Sequence, residues 1–146
     1  MIEYARWLNR IFSHLQDPLF LIGRVLLCFI FFNSGFDRLT GGWDASVHFM
    51  QSHGVPPVFL PFATALEFFG GLFLALGFLS RLCALGLGIF SVSAAFLFFG
   101  DFSNDDQWIS FLDNIAIAGG MLLIIGAGPG RLSLDYLFRL DRKPTA

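Results

Sequence analysis

The chain has 146 residues, of which 55% are hydrophobic and only 14% are charged, and its formal net charge is −2. Soluble domains carry about 25% charged residues, so this chain has too little charge to cover a water-facing surface. The slight negative charge also argues against a nucleic-acid-binding protein, which needs a basic surface. The composition, with its 20 phenylalanines, is typical of an integral membrane protein.

The first segment, residues 1–17, places apolar residues at helical spacing with Arg6 and Arg10 between them. This pattern predicts a short amphipathic helix that lies in the membrane interface. The segment is too polar for a cleaved signal peptide. Asp17 and Pro18 are expected to begin the first membrane span as its N-cap and first helical residue.

Four apolar stretches are long enough to cross a bilayer, which takes roughly 20 residues of helix. They cover about residues 18–36, 57–79, 82–99 and 108–125. Strand-like alternation is absent from them, which disfavours a β-barrel. The sequence therefore predicts an all-α integral membrane four-helix bundle over residues 18–127, with an amphipathic tail over 128–146.

The basic residues predict the orientation of this bundle. If the four spans alternate in direction, seven of the nine basic residues fall on one side of the membrane: Arg6, Arg10, Arg81, Arg131, Arg139, Arg142 and Lys143. The positive-inside rule then places both termini, and with them both amphipathic segments, on the cytoplasmic side.

Glu67 is the most unusual residue inside a predicted span. It lies about ten residues into the second span, or roughly 15 Å from the outer boundary at 1.5 Å per residue. A charged side chain at the bilayer centre costs about 2.5–3.5 kcal/mol, so such groups usually face other helices and find partners there. Ala63, Gly70 and Gly71 share its helix face, and small residues allow close helix contact.

Several side chains are candidate partners of Glu67. Arg24 lies on the cytoplasmic side of the first span, where it could reach towards Glu67 or extend to the cytoplasmic surface. Asn33 and Asn114 lie in the outer halves of their spans, and Asp37 and Arg38 are nearer the outer surface. Two interpretations stay open. The set Arg24, Asn33, Asp37, Arg38, Glu67 and Asn114 forms an outward-opening polar pocket, or its contacts only lock the packing of the helices.

Other chemistry is scarce in the sequence. Cys28 lies deep in the first span, whereas Cys83 begins the third span near the cytoplasm, so the pair is a poor dithiol. His48 and His53 are five residues apart in the outer loop with no third ligand evident, and we predict no metal site.

Small residues also form a stripe along the third span, at Ala84, Gly88, Ser91 and Ala95. Such stripes are typical of close helix packing in membranes. The stripe is expected to serve the core of the bundle or a contact between two copies of the chain.

Three segments together resemble the DoxX-like family of small bacterial membrane proteins. Residues 23–41 read GRVLLCFIFFNSGFDRLTG, residues 66–85 read LEFFGGLFLALGFLSRLCAL, and residues 128–135 read GPGRLSLD. They resemble the family's first span, its Glu-Gly-Gly second span with the following Arg turn, and its closing segment. Their order and spacing carry the resemblance.

The resemblance implies a multi-pass protein of the bacterial inner membrane, and the family positions map to Arg24, Asp37, Arg38, Glu67 and Arg81. Relatives are associated with thiosulfate oxidation coupled to quinone, with oxidative-stress complexes and with resistance to quinones and catechols. We therefore expect a redox-associated membrane subunit that binds a quinone or small phenolic compound, the quinone being the one cofactor considered. The alternative is a non-enzymatic scaffold or carrier that docks a partner oxidoreductase. The sequence leaves open whether the protein is catalytic and whether it forms a homo-oligomer.

Overall fold

The computed structural model describes residues 2–140, except for the side chains of residues 2, 3, 5, 8–11 and 14. Within this range the chain is mainly helical, with one π-helical turn over Leu66–Gly70, one 3₁₀ turn over Pro57–Phe59 and a kink at Gly41 between the first two α-helices. The α-helices are α1 (Ile2–Asp37), α2 (Trp43–Ser52), α3 (Leu60–Ala65), α4 (Gly71–Leu76), α5 (Ser80–Phe98), α6 (Asp105–Ala127) and α7 (Leu134–Leu137).

Four helical segments of the described chain are long and apolar enough to cross a membrane, which confirms the predicted all-α bundle. The first, Leu15–Ser52, contains α1 from Leu15 onwards together with α2. The second runs from Pro57 to Leu76 and contains α3, the π turn and α4. α5 and α6 are the third and fourth. Large apolar side chains such as Phe29 and Leu123 lie exposed on the outside of the bundle, 66% and 72% accessible. Such a surface requires lipid around it.

The first span differs from its prediction, because α1 begins before Asp17 and runs through Pro18 as one helix. The proline removes one backbone donor, a loss that a long helix tolerates where its neighbours compensate. Asp17 is therefore no N-cap. It accepts a hydrogen bond from the backbone N–H of Arg131 at 3.2 Å and forms a 3.9 Å ion pair with the Arg131 side chain.

The most extensive helix contact joins α5 to α6, and it depends on the small stripe of the third span. Ala84, Ser91 and Ala95 are fully buried, and Gly88 lies against the Met121 side chain of α6. The stripe thus serves the core of the bundle, the first of the two roles expected for it.

α1 packs against the second span, and two glycines permit the approach. A Cβ atom added at Gly35 would lie 2.8 Å from the backbone nitrogen of Phe68, and one added at Gly71 would lie 3.2 Å from that of Phe32. A larger residue at either position would push the two helices apart. This close contact lies beside the π turn that carries Glu67.

Candidate functional site

A cavity of about 910 Å³ lies at one end of the bundle, where α1 and α5 end and where the second span and α6 begin. The predicted orientation makes this the outer end. The wall contains the phenylalanines Phe31, Phe49, Phe90, Phe98 and Phe99. It also contains polar side chains, namely Ser34, Asp37, Arg38, Ser46, Glu67, Ser110, Asp113 and Asn114. A cavity with mainly apolar walls and a few polar groups is typical of small-molecule sites.

Glu67 lies at the inner wall of this cavity and is only 4% accessible. Its carboxylate accepts hydrogen bonds from the Arg38 guanidinium, with which it forms an ion pair, and from the Ser34 hydroxyl at 3.2 Å. The expectation that Glu67 turns towards another helix is met by these contacts with α1. A carboxylate buried among helices needs such partners, because hydrocarbon cannot solvate its charge.

Both members of the ion pair lie where the regular α-helix is interrupted. Glu67 lies in the π turn Leu66–Gly70, and Arg38 directly follows α1, just before the kink at Gly41. A π turn inserts one extra residue per turn and rotates the following side chains, and such turns occur frequently at functional sites. Glu67 and Arg38 both line the cavity.

The α2 helix forms another part of the cavity wall, through Ala45, Ser46, Phe49 and Met50. The chain enters α2 after a sharp bend at Gly41, whose φ of 150° suits glycine. The Phe49 ring packs 5.2 Å from the Phe98 ring at the end of α5, measured between centroids. α2 is thereby held against the end of α5.

α2 lies within residues 37–56, which were predicted to be a loop between the first two spans. One local signal for it is Asp44, which lies in the first turn of the helix, where a negative charge is favourable. Ser34 and Asp113 also line the cavity, although neither was among the predicted site residues.

The other predicted site residues are divided between the cavity and the rest of the bundle. Asp37 and Asn114 line the cavity, and the Asn114 amide donates to the Ser110 carbonyl at 2.9 Å. Asn33, in contrast, is exposed on the outer surface of α1 and does not line the cavity. Consecutive helix residues are rotated by about 100°, so Ser34 takes the inward direction that the prediction gave to Asn33.

Arg24 was predicted for the same pocket, and this prediction is wrong. The residue is 3% accessible, and its guanidinium donates to the carbonyl oxygens of Ala75 at 3.2 Å, Pro129 at 2.7 Å and Leu132 at 2.9 Å. These acceptors lie at the opposite end of the bundle from the cavity. Arg24 therefore fixes the closing segment to the first two spans.

The closing segment makes further contacts at the same end. The buried Asp135 carboxylate accepts hydrogen bonds from the backbone N–H groups of Leu79 at 2.7 Å and Ser80 at 2.8 Å, and so caps the start of α5. The Arg81 guanidinium donates to the carbonyl of Ile125 at 2.6 Å. The family positions therefore fall into two groups. Contacts within the fold hold Arg24, Arg81 and the closing segment in place. The cavity, in contrast, is lined by Arg38 and Glu67.

Cys28 and Cys83 are free thiols, the first buried and the second half-buried. Over residues 2–140, no group of three or more His, Cys, Asp or Glu side chains is arranged to hold a metal ion. The His53 ring instead packs against Phe49 and Phe98, with centroids 4.5 and 5.6 Å away.

Comparison with known proteins gives two kinds of match. The DoxX family model matches residues 19–100. Inner membrane protein YqjF of Escherichia coli (strain K12) is 37% identical over 123 residues, which cover 84% of this chain and 94% of the relative. Inner membrane protein YphA of the same organism is 31% identical over 131 residues, which cover 85% of this chain and 93% of the relative. No solved structure matches the chain significantly.

Proposed function

The chain belongs to the DoxX family of multi-pass inner membrane proteins, and from this membership we propose that it is a redox-associated membrane subunit that binds a quinone or small phenolic compound in the cavity. The observation that carries the proposal is the buried Arg38–Glu67 pair in the wall of an aromatic cavity. Nothing in the packing of the helices alone requires an ion pair beside an open volume.

The cavity supplies the contacts that such a ligand needs. Quinone and phenol rings are flat, and Phe31, Phe49 and Phe90 offer ring faces and edges to them. The Arg38 guanidinium can donate a hydrogen bond to a ring oxygen, and the Glu67 carboxylate can accept one from a phenolic hydroxyl. Hydrogen bonds to ionised groups are the stronger kind, which would fix the ring's orientation.

Binding can be measured by calorimetry on the protein in lipid nanodiscs, with catechol and a short-chain ubiquinone as ligands. We expect Glu67→Gln to weaken catechol binding at least about tenfold, since the loss of one charge-assisted hydrogen bond costs about 1.5–3 kcal/mol. The ubiquinone has only acceptor oxygens, so its binding should depend on the Arg38 donor instead. Asn33→Ala is the matched control, because it removes a polar group at the same depth on the outer surface of α1.

A second variant separates binding from folding. Arg38→Leu combined with Glu67→Leu removes both charges at once, and replacement of a buried pair by apolar residues is often neutral for stability. We expect this protein to fold and to bind neither ligand. Wild-type affinity for catechol in folded Glu67→Gln protein would disprove the proposed site.

The alternative is a scaffold or carrier that docks a partner oxidoreductase. It is tested by native mass spectrometry of the gently extracted protein. A retained quinone or phenolic compound supports the binding subunit, whereas a retained oxidoreductase with an empty cavity supports the scaffold. The same spectra report whether the protein forms a homo-oligomer.

A further inference from the structure

The charges of the cavity wall are not balanced. Three carboxylates line it, those of Asp37, Glu67 and Asp113, against the single guanidinium of Arg38. Arg38 is already paired with Glu67, so its charge is neutralised there. Asp37 and Asp113 remain, one at the end of α1 and one in the third turn of α6.

These two carboxylates make no side-chain hydrogen bond or ion pair with any residue of the described part of the chain. Both residues line the cavity and are exposed, whereas Glu67 is buried. A ligand in the cavity therefore meets two carboxylates without a cationic partner among the described residues, in addition to the Arg38–Glu67 pair.

The apolar walls strengthen the effect of this charge. A cleft that is lined by one sign of charge and has walls of low dielectric constant focuses the field, and so selects ligands by their charge. In addition, the faces of Phe49, Phe98 and Phe99 attract cations and do not attract anions.

We propose that Asp37 and Asp113 make the cavity selective for neutral and cationic aromatic hydroxyl compounds over anionic ones of the same size. This inference rests on the proposed function, because it names the charge class of the ligand in that same cavity. Asp37 and Asp113 act as specificity-determining residues, and Arg38 with Glu67 forms the hydrogen bonds to the ring oxygens.

The test compares three ligands that share one dihydroxyphenyl ring: catechol, which is neutral, dopamine, which is a cation, and 3,4-dihydroxybenzoate, which is an anion. Affinities are measured by calorimetry at pH 7 in nanodiscs of phosphatidylcholine, which adds no net lipid charge. At low ionic strength we expect dopamine to bind at least as tightly as catechol and dihydroxybenzoate to bind about tenfold or more weakly. The difference should shrink at high salt, because exposed charges are screened.

The double variant Asp37→Asn with Asp113→Asn should reduce the difference between dopamine and dihydroxybenzoate to about threefold or less. Its matched control is Asp44→Asn with Asp105→Asn, which removes two carboxylates at the same end of the bundle that do not line the cavity. The control should keep the wild-type selectivity.

The outcomes are distinguishable. Equal affinity of the three ligands in the wild-type protein would overturn the charge inference and leave the binding site standing. The assignment to Asp37 and Asp113 would be overturned if their double asparagine variant kept the wild-type preference for dopamine over dihydroxybenzoate. It would also be overturned if the control variant lost this preference to the same extent. Failure of all three ligands to bind would overturn this inference, and if the short-chain ubiquinone also fails to bind, the proposed function is overturned with it.

Discussion

At the scale of single residues, the two charged clusters differ in what surrounds them. Each of the three guanidinium nitrogens of Arg24 donates a hydrogen bond to a backbone carbonyl, which ties the residue to the fold. Arg38 and Glu67 are paired next to an open volume. A guanidinium enclosed by carbonyls stabilises the fold, whereas a charged pair on a cavity wall can exchange contacts with a ligand.

Gly77 tests how tightly the segment after α6 packs against the turn before α5, at the end of the bundle opposite the cavity. Its φ is +73°, and an added Cβ would lie 2.4 Å from the Ser133 Cβ and 2.8 Å from the Arg24 Nη1. We expect Gly77→Ala to lower the unfolding free energy by about 1–3 kcal/mol, from strain and overpacking together. Gly126→Ala is the control, because nothing lies within 4 Å of its added Cβ. Thermal unfolding in detergent measures both, and an equal melting temperature would contradict the role given to Gly77.

Arg38 provides a second residue-scale test. We expect Arg38→Ala to destabilise the protein more than the double leucine replacement of Arg38 and Glu67, since the single change leaves a buried carboxylate without its cation. Loss of one member of a buried pair costs about 3–5 kcal/mol, and we expect less here because the Arg38 side chain is 20% accessible. Unfolding in mixed micelles ranks the variants, and the opposite order would show that the buried Glu67 carboxylate does not depend on the Arg38 charge.

At the scale of elements, α2 controls how the cavity is covered. It is a ten-residue helix whose described contacts with the end of α5 include the Phe49 ring against Phe98 and Phe99. A helix of this length gains most of its stability from packing rather than from its own hydrogen bonds. Its order therefore depends on those aromatic contacts.

Phe49→Ala tests this dependence. Each aromatic pair contributes about 0.5–1.5 kcal/mol beyond simple burial, so the loss should speed amide hydrogen exchange in residues 43–52 by about tenfold. Phe62→Ala is the control, since that ring is 72% accessible on the outside of the second span. Exchange is followed by mass spectrometry of the protein in nanodiscs. Unchanged exchange in residues 43–52 would mean that other contacts hold α2.

At the scale of the whole molecule, the bundle has a closing end built from the turn before α5 and the segment after α6, and a cavity end built from α2 and the outer parts of the spans. The separation lets one end fix the helices while the other keeps an open volume. Family membership and inner-membrane location follow from the matches that span most of the chain.

The orientation of the two ends is a prediction from the distribution of basic residues. Green fluorescent protein fused to the C-terminus should fluoresce, and alkaline phosphatase fused there should be inactive, because both report a cytoplasmic terminus. A phosphatase inserted after Gly54 should be active, since this loop belongs to the cavity end. The reverse pattern would place the cavity mouth in the cytoplasm.

The sequence by itself determined the four helical spans, the position of Glu67 within the second one and the family. These properties are local, since hydropathy and residue spacing depend on neighbours along the chain. The tertiary structure alone decided that Ser34 and not Asn33 faces the cavity, that Arg24 binds the closing segment, and that α2 covers the cavity end. Residue spacing gives depth along a helix, but the rotation of a helix about its axis is set by the helices that pack against it.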